Sequence, residues 1–382
     1  MSDAQLKHIA ATHTTPCYAY DTALLQRTLE AIRAEAAHDR WHVHYAIKAN
    51  PHPVILQQIA RAGLGADCVS GGEVAAALQA GFRAGSIVLA GVGKTDAEIE
   101  QAIGEEIGMM NVESREELCV IEQIAARMGK KARVSLRINP DVDAHTHAHI
   151  TTGRAENKFG VDAADMVTLA RKTAESPHLT FTGLHFHIGS QLLMMDDFRA
   201  LCLRINELQG ELAAAGLFAP NINVGGGLGI DYEQPLKHPV ADFRAYFATF
   251  ANNLTLLPGQ HLHFELGRAV VAQMGTLLTR VLYVKQGSTK QFAIVDAGMT
   301  ELIRPALYGA LHRIDNLSSE GRPAGKYDVV GPICESSDTF ARDYVLPTTQ
   351  RGDILAIRSA GAYGMAMAST YNCRPLPEAY LF

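Results

Sequence analysis

Residues whose side chains can do chemistry follow short apolar runs in the first 270 positions. Lys48 ends the run VHYAIK, Glu265 lies in LHFELG, and Gly225, Gly226 and Gly227 follow INV. A lysine amine can attack an aldehyde to form a Schiff base, the alternative being a lysine whose head emerges at the mouth of the scaffold. A carboxylate can pair with a protonated ring nitrogen. The exposed N–H groups of a glycine turn can bind a phosphate, although such a turn is often only a turn.

These groups need a scaffold that gathers strand ends, and the chain supplies eight short apolar or alternating runs separated by helical stretches. The runs cover residues 43–48, 65–70, 86–91, 109–114, 133–139, 182–189, 222–227 and 262–267. Apolar residues at helical spacing in PHPVILQQIARAGL and DFRALCLRINELQGELAAAG predict amphipathic helices between runs. Alternating strands and helices predict a parallel sheet, and eight units favour a closed (β/α)8 barrel over a doubly wound open sheet.

In such a barrel, chemistry lies at the carboxyl ends of the strands. Those ends carry Lys48, Asp67, Ser70, Glu113, Arg137, Asn139, His187, Ser190, the three glycines, Glu265 and Arg268. The glycine turn follows the seventh strand, a common place for a phosphate, and Ser190 could add a hydroxyl. An amine for an aldehyde, a carboxylate for a ring nitrogen and a loop for a phosphate together predict a pyridoxal 5′-phosphate (PLP) site.

The pattern changes after about residue 268. TLLTRVLYVKQ, KQFAIVDAG, YDVVGPIC and GDILAIRSAG alternate at period two between turn residues, which predicts antiparallel β structure. We therefore predict a TIM-like barrel over residues 22–266 and a β domain over 267–382. The strand-like segment TPCYAYD within residues 1–21 is predicted to join the β domain.

Composition excludes several classes of protein. The 382 residues include 34 Lys+Arg and 40 Asp+Glu, a formal charge of −6, with no basic field for nucleic acid or an anionic membrane. Six scattered cysteines give neither a disulfide framework nor a zinc motif. The opening MSDAQLKHIAAT resembles no secretory signal, so we expect a cytoplasmic protein. No metal site is predicted: His145, His147 and His149 alternate, but we interpret them as a polar loop.

Longer motifs add a family resemblance. In order, they are YAIKAN, GADCVSGGE, HFHIGSQ, NVGGGLGIDY, ELGR, DAGMTELIRPALYGA, GPICESSD and SAGAYGMAMASTYN. From about Pro16 to Pro375 the chain resembles diaminopimelate decarboxylases, PLP enzymes with an alanine-racemase-like barrel and a C-terminal β domain. Leu266 stands where the family usually has proline in its EPGR segment. The chain also stops soon after STYNCRPLPE, which predicts shortened final strands.

The resemblance implies roles for matching positions. Lys48 would hold PLP, His187 would lie against the ring, and Glu265 would keep the ring nitrogen protonated. Asp67 would support Lys48 or the ring. The implied cofactor-binding set is completed by Ser190, Gly225, Gly226, Gly227, Leu266, Gly267, Arg268 and Tyr363.

The family also implies a homodimer whose active sites contain residues of both subunits. Cys334 of the partner would donate the proton to the carbanion, and Glu335 would accept the substrate's distal ammonium. The implied substrate-binding set is Arg268, Arg304, Tyr308, Glu335 and Tyr363.

Charge separates the candidate substrates. Diaminopimelate carries a distal carboxylate that ornithine lacks, and Arg304 is its natural bidentate partner unless it forms a surface or interface ion pair. The predicted reaction is decarboxylation of meso-2,6-diaminopimelate to L-lysine and CO2. The alternatives are a same-fold decarboxylase of ornithine, arginine or a carboxylated polyamine, a racemase, and a non-catalytic PLP carrier. The CESSD segment argues against a racemase, and the β domain with its CESSD and AGAYG segments argues against a carrier formed by a barrel alone.

Overall fold

The computed structural model describes residues 1–142 and 158–382, so the alternating histidines His145, His147 and His149 lie outside the described residues. The chain forms two units. The barrel unit comprises Leu29–Gly229 and Asp242–Gly267, and the β unit comprises Met1–Thr28, Ile230–Ala241 and Arg268–Phe382.

The elements alternate through the barrel unit and become mostly strands afterwards. The α-helices in the described residues are α1 (Asp3–Thr12), α2 (Thr22–Glu35), α3 (Pro53–Arg61), α4 (Gly71–Ala80), α5 (Asp96–Gly104), α6 (Arg115–Met128), α7 (Met166–Glu175), α8 (Met195–Ala214), α9 (Phe243–Asn253), α10 (Arg268–Val271) and α11 (Arg304–Tyr308). The strands there are β1 (Cys17–Tyr20), β2 (Trp41–Ala46), β3 (Gly65–Cys68), β4 (Ile87–Leu89), β5 (Met109–Val112), β6 (Ala132–Asn139), β7 (Val161–Asp162), β8 (Leu179–His185), β9 (Asn221–Asn223), β10 (His261–Leu266), β11 (Gly275–Gln286), β12 (Gln291–Val295), β13 (Ile314–Asn316), β14 (Ala324–Val330), β15 (Thr339–Pro347), β16 (Ile354–Ile357) and β17 (Glu378–Leu381).

Eight of the described strands close into a parallel barrel. Their order is β6-β8-β9-β10-β2-β3-β4-β5, and β5 pairs again with β6, which completes the ring. The short β7 adds to β6 outside it. The predicted (β/α)8 barrel is confirmed, and the open-sheet alternative is excluded because the sheet has no free edge within this ring.

The helices cover the barrel because their apolar residues recur at helical spacing. Pro53 occupies the first turn of α3, where its missing N–H costs nothing. Helices α8 and α9 pack aromatic rings together, and the Phe250 ring lies edge-on to Phe264 of β10 with centroids 5.2 Å apart. This packing fixes the strand that carries Glu265.

The β unit contains a mixed sheet in the order β13-β16-β11-β12-β14-β15, with β1 on β11 and β17 on β1. Most of its pairs are antiparallel, as predicted, whereas β12–β14 and β1–β17 are parallel. The segment TPCYAYD thus supplies a strand of this sheet. Its buried side chains pack with those of α1, β11 and β16.

Candidate active site

Glu265 lies inside the barrel, where side chains of three other strands bind it. Its Oε1 accepts hydrogen bonds from Asn111 Nδ2 at 3.2 Å and Asn223 Nδ2 at 2.7 Å. Its Oε2 lies 3.0 Å from His185 Nε2. All four residues are buried. Every oxygen of this carboxylate therefore has a donor, which is what a buried charge requires.

These partners set the charge of the pocket. Burial raises the pKa of Glu265, but His185, the nearby His187 and Asn223 outweigh it, so the net pKa is well below its ordinary value. Burial and the charge of Glu265 raise the pKa of Asp67 well above its ordinary value. Asp67 Oδ1 is also buried with no hydrogen-bond partner in the described part of the chain. The two shifts favour an ionised Glu265 and a protonated Asp67.

Lys48 lies just beyond the end of its strand. Strand β2 stops at Ala46, and Lys48 follows in the 3-10 turn Ile47–Ala49 with its side chain exposed. Its positive charge counters the rise in the pKa of Asp67 and adds to the fall in the pKa of His187. The amine is therefore solvent-accessible yet electrostatically coupled to both residues.

The turn after β9 requires glycine because neighbouring backbone approaches it closely. A Cβ on Gly226 would collide with the carbonyl oxygen of Glu265, and Gly225 has φ of +68°. The N–H of Gly226 donates to His187 Nδ1 at 3.3 Å, which ties this half-buried imidazole to the turn. Burial, then the charges of Arg137 and Lys48, lower the pKa of His187 well below its ordinary value. His187 is therefore a neutral ring beside the glycines.

The other predicted site residues of the barrel unit also lie at or near the ends of its strands. Ser190 is half-buried after β8, Leu266 is buried at the end of β10, and Gly267 follows it. Arg137 Nη1 binds Glu113 Oε1 at 3.0 Å as a buried ion pair. This pair joins the ends of β5 and β6.

The β unit gathers two arginines around tyrosine rings. Arg268 Nη1 donates to the Tyr232 hydroxyl at 2.8 Å, and Arg268 Cζ lies 4.9 Å from the centre of the Tyr363 ring. Arg304 Cζ lies 4.9 Å from the centre of the Tyr232 ring. Both guanidinium groups are buried, and tyrosine faces stabilise such cations. Tyr308 is half-buried at the end of α11.

Cys334 and Glu335 lie elsewhere in the β unit, on an exposed loop. The Cys334 N–H donates to Asn372 Oδ1 at 3.3 Å, and Glu335 Oε1 accepts from the Tyr371 hydroxyl at 2.6 Å. The buried Asp338 anchors the loop by accepting a hydrogen bond from the Ile333 N–H at 2.7 Å. The loop is thus held at its base and displays both side chains.

Comparisons with known proteins identify the family of the chain. Residues 23–272 match the family described as pyridoxal-dependent decarboxylase, pyridoxal binding domain. A diaminopimelate decarboxylase of Bacteroides thetaiotaomicron is 58% identical over 370 residues, which is 97% of this chain and 96% of that protein. The chain belongs to the diaminopimelate decarboxylase family. Its cofactor is PLP.

Solved structures of the family share the whole fold. The Helicobacter pylori diaminopimelate decarboxylase, crystallised with L-lysine, has a TM-score of 0.93 at 40% identity, covering 99% of this chain and 94% of that one. The enzyme from M. jannaschii, also in complex with L-lysine, has a TM-score of 0.90 at 33% identity, covering 98% and 88%.

The family's cofactor fits the residues of the barrel. The ionised Glu265 suits a protonated ring nitrogen, and the unpartnered Asp67 Oδ1 provides a further polar atom inside the barrel. Gly225, Gly226 and Gly227 carry no side chains, so a phosphate can approach the backbone of the turn closely. Lys48 supplies the exposed amine.

Several residues of these clusters were not singled out from the sequence. Asn111, His185 and Asn223 each lie two positions before a strand-end residue, and alternate residues of a strand face the same way. That spacing was a usable signal. Tyr232 follows the glycine turn as the last letter of NVGGGLGIDY, and nothing in its spacing indicated two arginine partners.

Proposed function

We propose that this chain uses PLP to decarboxylate meso-2,6-diaminopimelate to L-lysine and CO2, the last step of lysine synthesis. The observation that carries the proposal is the buried, ionised Glu265 within the strand-end cluster of the barrel. The names of the relatives point to the same reaction.

PLP supplies an electron-accepting ring that takes up the electron pair left on the substrate when CO2 departs. Lys48 would bind the cofactor through its amine. Glu265 would hold a proton on the ring nitrogen, because the His185 and asparagine contacts keep the carboxylate charged. His187 would lie against the ring as a neutral surface. The three glycines, Ser190 and the backbone of residues 266–268 would hold the phosphate.

The β unit supports the choice of substrate. Arg268 and Arg304 are buried beside Tyr232, and two guanidinium groups held together attract an anion. We propose that Arg304 binds the distal carboxylate, with Tyr308 and Tyr363 completing the pocket. Glu335 would meet the distal ammonium. Free ornithine and free arginine lack the distal carboxylate, so as substrates they would leave the Arg304 side chain without an anionic partner.

We also propose a homodimer in which Cys334 and Glu335 enter the partner's site. Their exposure on an anchored loop supports this assignment, and Cys334 Sγ would return a proton to the substrate's α-carbon. A cytoplasmic location is proposed because all six cysteines are free thiols, typical of a reducing compartment. Among the described residues, the helices are too short or too polar for any of them to cross a membrane.

One assay tests the reaction. The purified protein with PLP is incubated separately with meso-diaminopimelate, ornithine, arginine and lysine, and both CO2 and the amine product are measured. We expect CO2 and L-lysine from diaminopimelate only. A faster reaction with ornithine or arginine would contradict the assignment of the substrate, and racemised diaminopimelate without CO2 would contradict the reaction class.

A further inference from the structure

His312 lies beside Arg304 in the β unit, between α11 and β13. Arg304 opens α11, and Gly309 ends that helix in a left-handed conformation with φ of +62°. The chain then returns, so that Arg304 Nη1 and His312 Nε2 are 2.8 Å apart. Both side chains are buried.

The contacts of His312 fix its protonation state. Its Nδ1 lies 2.8 Å from the carbonyl oxygen of Arg358, a group that only accepts. Its Nε2 faces a guanidinium of Arg304, a group that only donates. Nδ1 therefore carries the hydrogen and Nε2 the lone pair. Burial and then the charge of Arg304 lower the pKa of His312 to about 3, which agrees with a neutral ring.

The carbonyl that holds His312 is itself fixed. The N–H of Arg358 donates to the carbonyl oxygen of Arg313 at 2.8 Å. The Arg358 side chain is anchored through Nε to Asp315 Oδ2 at 2.9 Å. The imidazole is thus attached to the end of β16.

The ring of Tyr232 packs against one face of the Arg304 guanidinium. Its ring centre lies 4.9 Å from Arg304 Cζ, and its ring meets that of His312 edge-on, with centroids 5.0 Å apart at 75°. One edge of the Arg304 guanidinium is therefore held by His312 and one face by Tyr232. Arginine has five N–H donors, so the bond to His312 leaves others for a carboxylate.

We propose that His312 is a positioning residue that orients Arg304 for the distal carboxylate of the substrate. This inference rests on the proposed function, in which Arg304 binds that carboxylate. Bidentate binding needs the planar fork in one orientation, and a neutral acceptor on Nη1 supplies it. His312 acts on substrate binding, so its loss should raise KM and leave kcat nearly unchanged.

Two variants of similar polarity separate this role from mere packing. In His312→Asn the side-chain amide reaches the position of Nδ1, so it keeps the bond to Arg358 and loses the acceptor for Arg304. In His312→Gln the longer side chain places its oxygen near the position of Nε2, so the acceptor is kept. We expect KM for meso-diaminopimelate to rise about tenfold or more in the Asn variant, with kcat within about twofold. The Gln variant should stay within about threefold of wild type.

A double-mutant cycle completes the test. In an Arg304→Met background, His312→Asn should change kcat/KM little, because the residue it positions is already absent. Melting temperature and PLP absorbance are measured for every variant. If His312→Asn does not fold, His312→Ser, which also lacks an acceptor within reach of Arg304, replaces it.

The outcomes are distinguishable. A wild-type protein that releases no CO2 from diaminopimelate overturns the proposed function. An active wild type with an unchanged KM in the Asn variant overturns the positioning role alone. Equal defects in the Asn and Gln variants, or additive defects with Arg304→Met, would assign His312 to packing and overturn it as well.

Discussion

In the barrel unit the groups around Glu265 come from strands, whereas in the β unit the groups around Arg268 and Arg304 come from short helices and loops. His185 of β8 and Asn223 of β9 are paired with neighbouring strands on both sides, and Asn111 of β5 is paired with Ser135 of β6. The strands of the barrel therefore place these side chains around Glu265.

The β-unit cluster depends on contacts between side chains. Tyr232 lies in the segment Ile230–Ala241, Arg304 opens a five-residue helix, and Tyr363 sits in a loop with φ of +56°. Here no strand pairing positions the two guanidinium groups; tyrosine ring faces and the hydrogen bond between Arg304 and His312 hold them instead. We therefore expect the two clusters to have different roles. The rigid barrel cluster would govern chemistry, and the β-unit cluster would govern the fit of the substrate.

The largest effect is expected at Lys48. Lys48→Ala removes the amine that binds the cofactor, so turnover should fall roughly 10³-fold or more, and the visible absorbance should disappear. Borohydride reduction of the wild type followed by peptide mapping should place the adduct on Lys48. Lys94 is an internal control, because its buried amine pairs with Glu117 Oε1 at 2.6 Å. An adduct on Lys94 or another lysine would refute the assignment.

Next comes Glu265→Gln, which keeps the shape of the side chain and removes its charge. The ring nitrogen would then lack its ion-pair partner, and kcat should fall about 10²-fold while PLP stays bound. Glu301→Gln is a matched control: Glu301 is a buried carboxylate of the β unit that accepts from the Gly298 N–H at 2.6 Å. It should lower the melting temperature and leave kcat unchanged. A wild-type kcat in Glu265→Gln would show that the barrel cluster does not govern chemistry.

Arg304→Met should affect substrate binding. Leaving one member of a buried charge pair unpartnered costs roughly 2–5 kcal/mol, so kcat/KM for diaminopimelate should fall about 30-fold or more. PLP absorbance should stay unchanged. Arg342→Met is the control, because that side chain is 63% exposed. If Arg304→Met matched the control, the distal carboxylate would bind elsewhere.

The smallest expected effect comes from testing which subunit contributes Cys334 to each active site. Lys48→Ala and Cys334→Ala homodimers should each be nearly inactive. In a mixed dimer with shared sites, one site carries both defects and the other carries none. Random exchange makes about half the dimers mixed, so about a quarter of wild-type activity should return. Subunits are exchanged in mild denaturant and refolded with PLP. No recovery after verified exchange would place Cys334 in its own subunit's site.

The sequence by itself determined the architecture, because periodicity is a local property. Eight runs separated by helical stretches predicted the closed barrel, and the motifs around Lys48, Glu265 and the glycines predicted its cofactor. The roles assigned to individual residues stay predictions. The local pattern did not place the end of β2: the strand stops two residues before Lys48, and the turn exposes the amine.

Only the tertiary structure decided which side chains meet. Glu265 is 154 positions from Asn111 and 80 from His185 along the chain. These residues meet because the strands around the ring pair in one register. A change of one residue in register would turn each side chain to the other face. Likewise, Arg304 and His312 meet because a left-handed glycine reverses the chain between them. Hydrophobic patterning in the sequence determines which face of a helix or strand is buried. Closure of the sheet and the paths of the loops determine which side chains come into contact.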